Sequence, residues 1–191
     1  MPASNVQTFR AMAYNNAWAN QRLLKACAAL TPEAFAATRT SFFPSLAATL
    51  NHILTIDWFY VDALEGGDLG PRAWEVEIPC PLLADLKREQ AAVDRRLVAV
   101  CEALTEAALG EDVHVNRISR VQVERRDRLL MHLFQHQVHH RGQAHAMLAG
   151  TAVKPPQLDE FFSIGEAALR ADEFAELGFS EEAIWGPEGV R

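Results

Sequence analysis

The chain is poor in cysteine: three in 191 residues, Cys27, Cys80 and Cys101, widely spaced and with no CxxC. An odd number so placed points to neither a disulfide framework nor a cysteine-rich zinc site. Cys27 and Cys101 stand among Ala, Leu and Val, where a free thiol is expected to behave as a small buried hydrophobe. No apolar run approaches about 18 residues, so nothing is expected to span a membrane. Basic runs are also missing. The net charge is −7, and Glu124 and Asp127 interrupt the richest stretch, Arg117 to Arg128. Without a phosphate-neutralising face, a nucleic-acid partner is not expected. The first residues, MPASNVQTFRAMAYNN, hold no charged segment followed by an apolar one, so no secretory signal is expected and a cytoplasmic location is the default. There is no GxSxG, no Walker sequence and no HExxH, Gln137 standing where the last motif has Glu. A zinc-peptidase reading therefore lacks its base.

What the chain does have is helical periodicity. Its length and 49% hydrophobic content fit one domain over 1–191 with a full apolar core. Phe9, Met12, Ala13, Ala17, Leu23, Leu24 and Cys27 recur at threes and fours between Asn5 and Leu30, which predicts a first helix. Thr31-Pro32-Glu33 is a stop signal. Tyr14 and Trp18, one turn apart, are expected to be an aromatic core pair whose polar atoms find partners. A second helix is expected from Pro44, in its first turn, to the Gly66-Gly67 stop, with Ala48, Thr49, His52, Ile56 and Phe59 on one stripe. Asp68 to Pro81 reads as a loop. A third helix is expected from Leu82 to Leu104, with Lys87, Arg88, Asp94, Arg95 and Arg96 solvated. Val113, Val115, Val121 and Val123 alternate with polar residues, which fits a short extended pair, and His114 reads as a surface loop residue. A fourth helix is expected from Glu124 to Ala149, with Leu130, Phe134, Val138 and Leu148 making its non-histidine side apolar. After Pro155-Pro156, LDEFFSIGEAALRADEFAEL reads as a shorter C-terminal helix, and the tail to Arg191 as surface cover. The expected class is all-α: a four-helix bundle with a short C-terminal helix.

Five of the seven histidines lie in MHLFQHQVHHRGQAHAMLAG, Met131 to Gly150. Wound at about 100° per residue, His132, His136, His139, His140 and Gln143 share an arc of about 100°, and His145 points the other way. His136 and His140 are an i, i+4 pair whose imidazoles can converge on one ion, and such a pair needs a third ligand from another element. His52, on a separate and mainly apolar face, is the natural candidate, although a lone histidine there is more often a hydrogen-bonded core residue. Three histidines leave positions open for water or substrate, the catalytic rather than the structural arrangement. His132 could be a fourth ligand, and His132, His139 and Gln143 could orient the ligand rings or contact substrate.

YNNAWAN, FFPSLAATLNHIL, LLMHLFQHQVHHRGQAHAMLAG and LDEFF, in this order and spacing, resemble the DinB/YfiT family of metal-binding four-helix proteins. That family is distinct from the DNA polymerase that shares the name. The resemblance implies a bundle, commonly dimeric, with a three-histidine divalent-metal site at His52, His136 and His140. His132 and His139 do not fall on its ligand positions. Zinc or nickel is the implied metal, with iron as the further option. The iron branch uses a motif of the HxxxHxE kind, and Gly142 stands here where that Glu would be. The wider superfamily includes thiol S-transferases and thiol-dependent isomerases.

Three functions follow as expectations. The first is a metal-dependent transferase joining a low-molecular-weight thiol to an electrophilic small molecule. The second is a metal-dependent hydrolase, disfavoured because no carboxylate is evident near the histidine pair. The third is a non-enzymatic metal-binding, stress-associated homodimer.

Overall fold

The computed structural model describes residues 4–186. The expectation for the tail therefore lies, for 187–191, outside the described residues. Among those described are seven α-helices: α1 (Asn5–Cys27), α2 (Pro32–Ala36), α3 (Leu46–Leu64), α4 (Leu83–Glu102), α5 (Arg126–Ala149), α6 (Ala171–Leu177) and α7 (Glu181–Trp185). The four long ones close a ring of contacts: α1 packs on α4, α4 on α3, α3 on α5, and α5 back on α1. None is long and apolar enough to cross a membrane.

The helix ends follow local chemistry. Ser4 and Ser45 accept from the backbone N–H groups of Gln7 and Ala48 and so start α1 and α3. Pro44 lies just outside α3 rather than in its first turn, and its carbonyl accepts from Arg39 N instead. Thr31-Pro32-Glu33, expected as a stop, is also a start: the Thr31 side chain caps α2 and Pro32 occupies its first turn. α3 ends where Gly66 takes a φ of +85°, a conformation a side chain would strain.

The chain is not purely α-helical. β1 (Asp112–Asn116) and β2 (Val121–Arg125) pair antiparallel, with His114 opposite Val123. Val113 and Val115 point inward and His114 outward, so His114 is a surface residue but on a strand, not in a loop. Within the basic stretch, Arg125 pairs with Asp127, Arg128 with Glu124, and Arg126 donates to Leu64 O.

The expected C-terminal helix breaks into 3₁₀ turns over Glu160–Phe162 and Ile164–Arg170 before α6 begins. Side chains capture the carbonyls that a continuous helix would need. Arg170 donates to the carbonyls of Glu160 and Ser163, and Arg22 of α1 donates to those of Gln157 and Leu169. Arg22 also pairs with Glu160 and Glu173. The segment thus docks on α1 through guanidinium bonds and through Phe161, whose ring lies 5.6 Å from that of Trp18. The tail is more than surface cover, because Ile184 of α7 is fully buried.

Tyr14 and Trp18 are core residues, as expected. Tyr14 finds a partner in Glu102, whereas Trp18 Nε1 is buried without one among the described residues. The three cysteines are buried and free. Burial pushes the Cys27 and Cys101 thiols up to about 12, which leaves them unreactive near neutrality.

Candidate metal centre

α3 and α5 face each other along their length, and His52 meets the α5 histidines across that contact. His52 Nε2 lies 3.0 Å from His136 Nε2. One nitrogen from each of His52, His136 and His140 falls within 4.8 Å of the others, a group that could hold a metal ion. Ligand nitrogens about 2.0–2.1 Å from a tetrahedral ion stand roughly 3.3 Å apart, so the widest pair needs to close by no more than roughly 1.5 Å.

The protonation state also suits a ligand set. Burial, with the charge of neighbouring histidines, lowers His52 to about 4 and His136 to about 3. Burial lowers His140 as well, against an opposing bond from Gln143. All three shifts favour the neutral imidazole, whose lone pair can bind a metal. His140 Nδ1 lies 2.8 Å from Gln143 Oε1; since an amide oxygen only accepts, Nδ1 carries the proton and Nε2 is left bare. Gln143 Nε2 in turn donates to His139 Nε2 at 3.1 Å. His136 Nδ1 is buried without a partner among the described residues.

The remaining candidates lie outside the triad. His132 is exposed with its ring against Tyr60. His139 is exposed and reaches the triad only through Gln143 and the edge of the His140 ring. His145, on the opposite side as expected, bonds the Pro156 carbonyl.

Beneath the triad runs a buried polar network that the sequence reading missed. Asp94, read as solvated, is 5% exposed. It accepts from Asn16 and Asn20 of α1 and from Gln90 of α4. Gln90 also donates to Asp57 of α3, which accepts from Gln137 of α5. Arg141 of α5 donates to Asn16 and Asn20. The Arg141 guanidinium thus reaches Asp94 through these two asparagines, and its charge acts on both carboxylates from a distance. Burial and the charge of Asp94 hold Asp57 well above the usual carboxylate range, and burial raises Asp94 to about 6. Burial lowers Arg141 to about 10, which leaves it charged near neutrality. A signal was available: Leu86, Gln90, Val93, Asp94 and Leu97 share the inward face of α4, so Asp94 occupies a core position.

A cleft of about 330 Å³ opens beside His52, lined by Phe43, Ala48, Thr55, Ile56, Trp74 and Glu77. The Phe43 ring lies 4.2 Å from that of His52 and 5.5 Å from that of His140, covering the triad from the loop before α3. Glu77 brings a carboxylate to this cleft, which the sequence reading did not place near the histidines.

A mostly helical fold with three inward histidines from two helices defines a class of protein with a candidate metal centre. Residues 1–171 match the model of the DinB family, and the chain belongs to that family. A solved DinB-like protein from Bacillus cereus shares the fold, with a TM-score of 0.59 at 18% identity over 75% of this chain and 91% of that one. No curated protein matches the chain.

Proposed function

We propose that the protein is a metal-dependent transferase that joins a low-molecular-weight thiol to an electrophilic small molecule. The observation that carries this reading is the triad of neutral imidazoles opening onto an apolar cleft. His52, His136 and His140 would hold a divalent ion, zinc or nickel with iron as the further option, all of them metals that imidazole nitrogen suits. Such an ion supplies Lewis acidity and lowers the pKa of a thiol that reaches it. The chain's own residues do the rest. Gln143 fixes the tautomer of His140, and Phe43 shields the triad from bulk water on one side. Gln143 with His139, and His132 through Tyr60, set the polar rim.

The scaffold in this proposal is a single-domain four-helix bundle of α1, α3, α4 and α5. The proposed assembly is a homodimer, for which Met131 and Val138, both about half exposed on α5, offer an apolar surface.

A hydrolytic reading, with water in place of the thiol, gains one specific support: Glu77 lines the same cleft as His52 and could accept a proton there. The deciding test measures metal content by elemental analysis and turnover of a chromogenic electrophile with and without glutathione. Turnover only with thiol supports the transferase, and turnover without it supports the hydrolase. A rate unchanged in His136→Ala removes both.

A further inference from the structure

The cleft beside His52 has a composition that selects its occupant. Phe43 and Trp74 give it two aromatic walls and Ile56 an aliphatic one. Trp74 packs on Phe59, with ring centroids 4.6 Å apart, and is thereby fixed by the core rather than free to fold away. The Thr55 hydroxyl is already committed to the His52 carbonyl at 3.1 Å. Among the described residues no Lys or Arg lines the cleft, and its one acidic group is Glu77. From the cleft's own lining an anion would gain no counter-charge and would face a carboxylate, so with the triad free of metal its lost hydration would go uncompensated. The volume of about 330 Å³ is at the small end of the roughly 300–1,000 Å³ of ligand clefts.

We infer that this cleft binds an uncharged aromatic molecule of one-ring size, seated between Phe43 and Trp74 with its reactive carbon toward His52, and that Glu77 excludes anionic analogues. The inference rests on the transferase reading for its chemistry but not for its binding. In the reaction implied, a thiol sulfur forms a bond to a ring carbon, the bond from that carbon to a halide breaks, the halide leaves with the electron pair, and the thiol proton passes to solvent.

Binding is read first with unreactive probes on the full chain freed of metal by a chelator, so that no ion charge enters the comparison: 1,3-dinitrobenzene and its anionic counterpart 3,5-dinitrobenzoate, followed by tryptophan fluorescence quenching. The expected result is at least about tenfold tighter binding of the uncharged ring, since a carboxylate entering the apolar part of the cleft sheds hydration and faces Glu77 with no cation to pair with. Glu77→Gln, an exposed and conservative change, narrows the gap, and Trp74→Leu removes most of the quench. Equal binding of the two probes, or an unchanged quench in Trp74→Leu, overturns the inference. Dinitrobenzene binding that obeys this pattern supports it even where no thiol transfer to 1-chloro-2,4-dinitrobenzene is found, a result that would remove the transferase reading alone. Transfer that proceeds unchanged in Trp74→Leu does the reverse.

Discussion

The Gln137 amide of α5 donates to the Asp57 carboxylate of α3, and each lies close in sequence to a histidine of the triad. Gln137 follows His136, and Asp57 lies five residues after His52. The same relation recurs one turn on, where Arg141, next to His140, bonds Asn16 and Asn20 of α1. The buried polar partners therefore fix the rotation of α5 about its axis. A helix so fixed presents His136 and His140 to α3 rather than to solvent.

The first prediction concerns pH. In the folded chain Asp57 is raised well above its ordinary value of 3.8, and Asp94 is raised to about 6. Between these values the folded protein holds protons that the unfolded chain has released. The stability this pair contributes is complete below about pH 3.8 and is lost as pH rises through the folded values. Asp57→Asn removes one of these groups and relieves the other. The melting temperature of metal-free Asp57→Asn, compared with the parent from pH 4 to pH 8, is expected to show a gain that grows with pH. A gain that is flat or shrinks across that range contradicts the assignment.

The second prediction concerns Arg141. Replacing it by Met removes a positive charge that favours ionised Asp94 and leaves the buried Asn16 and Asn20 side-chain oxygens without their donor, and each buried acceptor so orphaned costs about 1–3 kcal/mol. Urea denaturation should show this loss. The double variant Asp94→Asn/Arg141→Met should recover part of it, because the charge left behind is reduced. Absence of any recovery would mean that packing, not charge, holds Arg141.

These residues also mark the limit of what the sequence disclosed. His136 and His140 were legible because helical spacing alone puts them on one face, and His52 because it interrupts an apolar stripe. Membership of the DinB family was legible for the same reason, in motifs that carry those histidines. Asp94 was misread because its neighbours Arg95 and Arg96 look solvated, although Leu86, Val93 and Leu97 define the buried face it shares. The C-terminal segment was misread as one helix because its periodicity is helical. Only the folded chain brings Arg22 and Arg170 to the carbonyls that end it. Glu77 could not be placed beside His52 from spacing, since a loop of irregular residues carries it there.

The third prediction concerns the triad. The parent chain should carry about one divalent ion when purified or loaded, and both His52→Ala and His136→Ala should lose it, because two remaining nitrogens make a weak site. A chelator should lower the melting temperature of the parent and leave both variants unmoved. If either variant retains the metal of the parent, the ligands lie elsewhere.

The fourth prediction separates orientation from ligation. Gln143 does not belong to the triad, yet its carbonyl holds the proton of His140 on Nδ1, at 2.8 Å. Replacing it by Leu frees the ring to adopt either tautomer and to rotate. Removal of such a partner typically weakens metal binding about 10–100-fold, so competition with a chromogenic chelator should show Gln143→Leu binding the ion less tightly while still reaching the parent's stoichiometry. Gln143→Glu offers an acceptor of the same length with a full charge, and is expected to bind at least as tightly as the parent. A side chain that served only to fill space would be replaced well by Leu, and the order of the two variants would then be reversed.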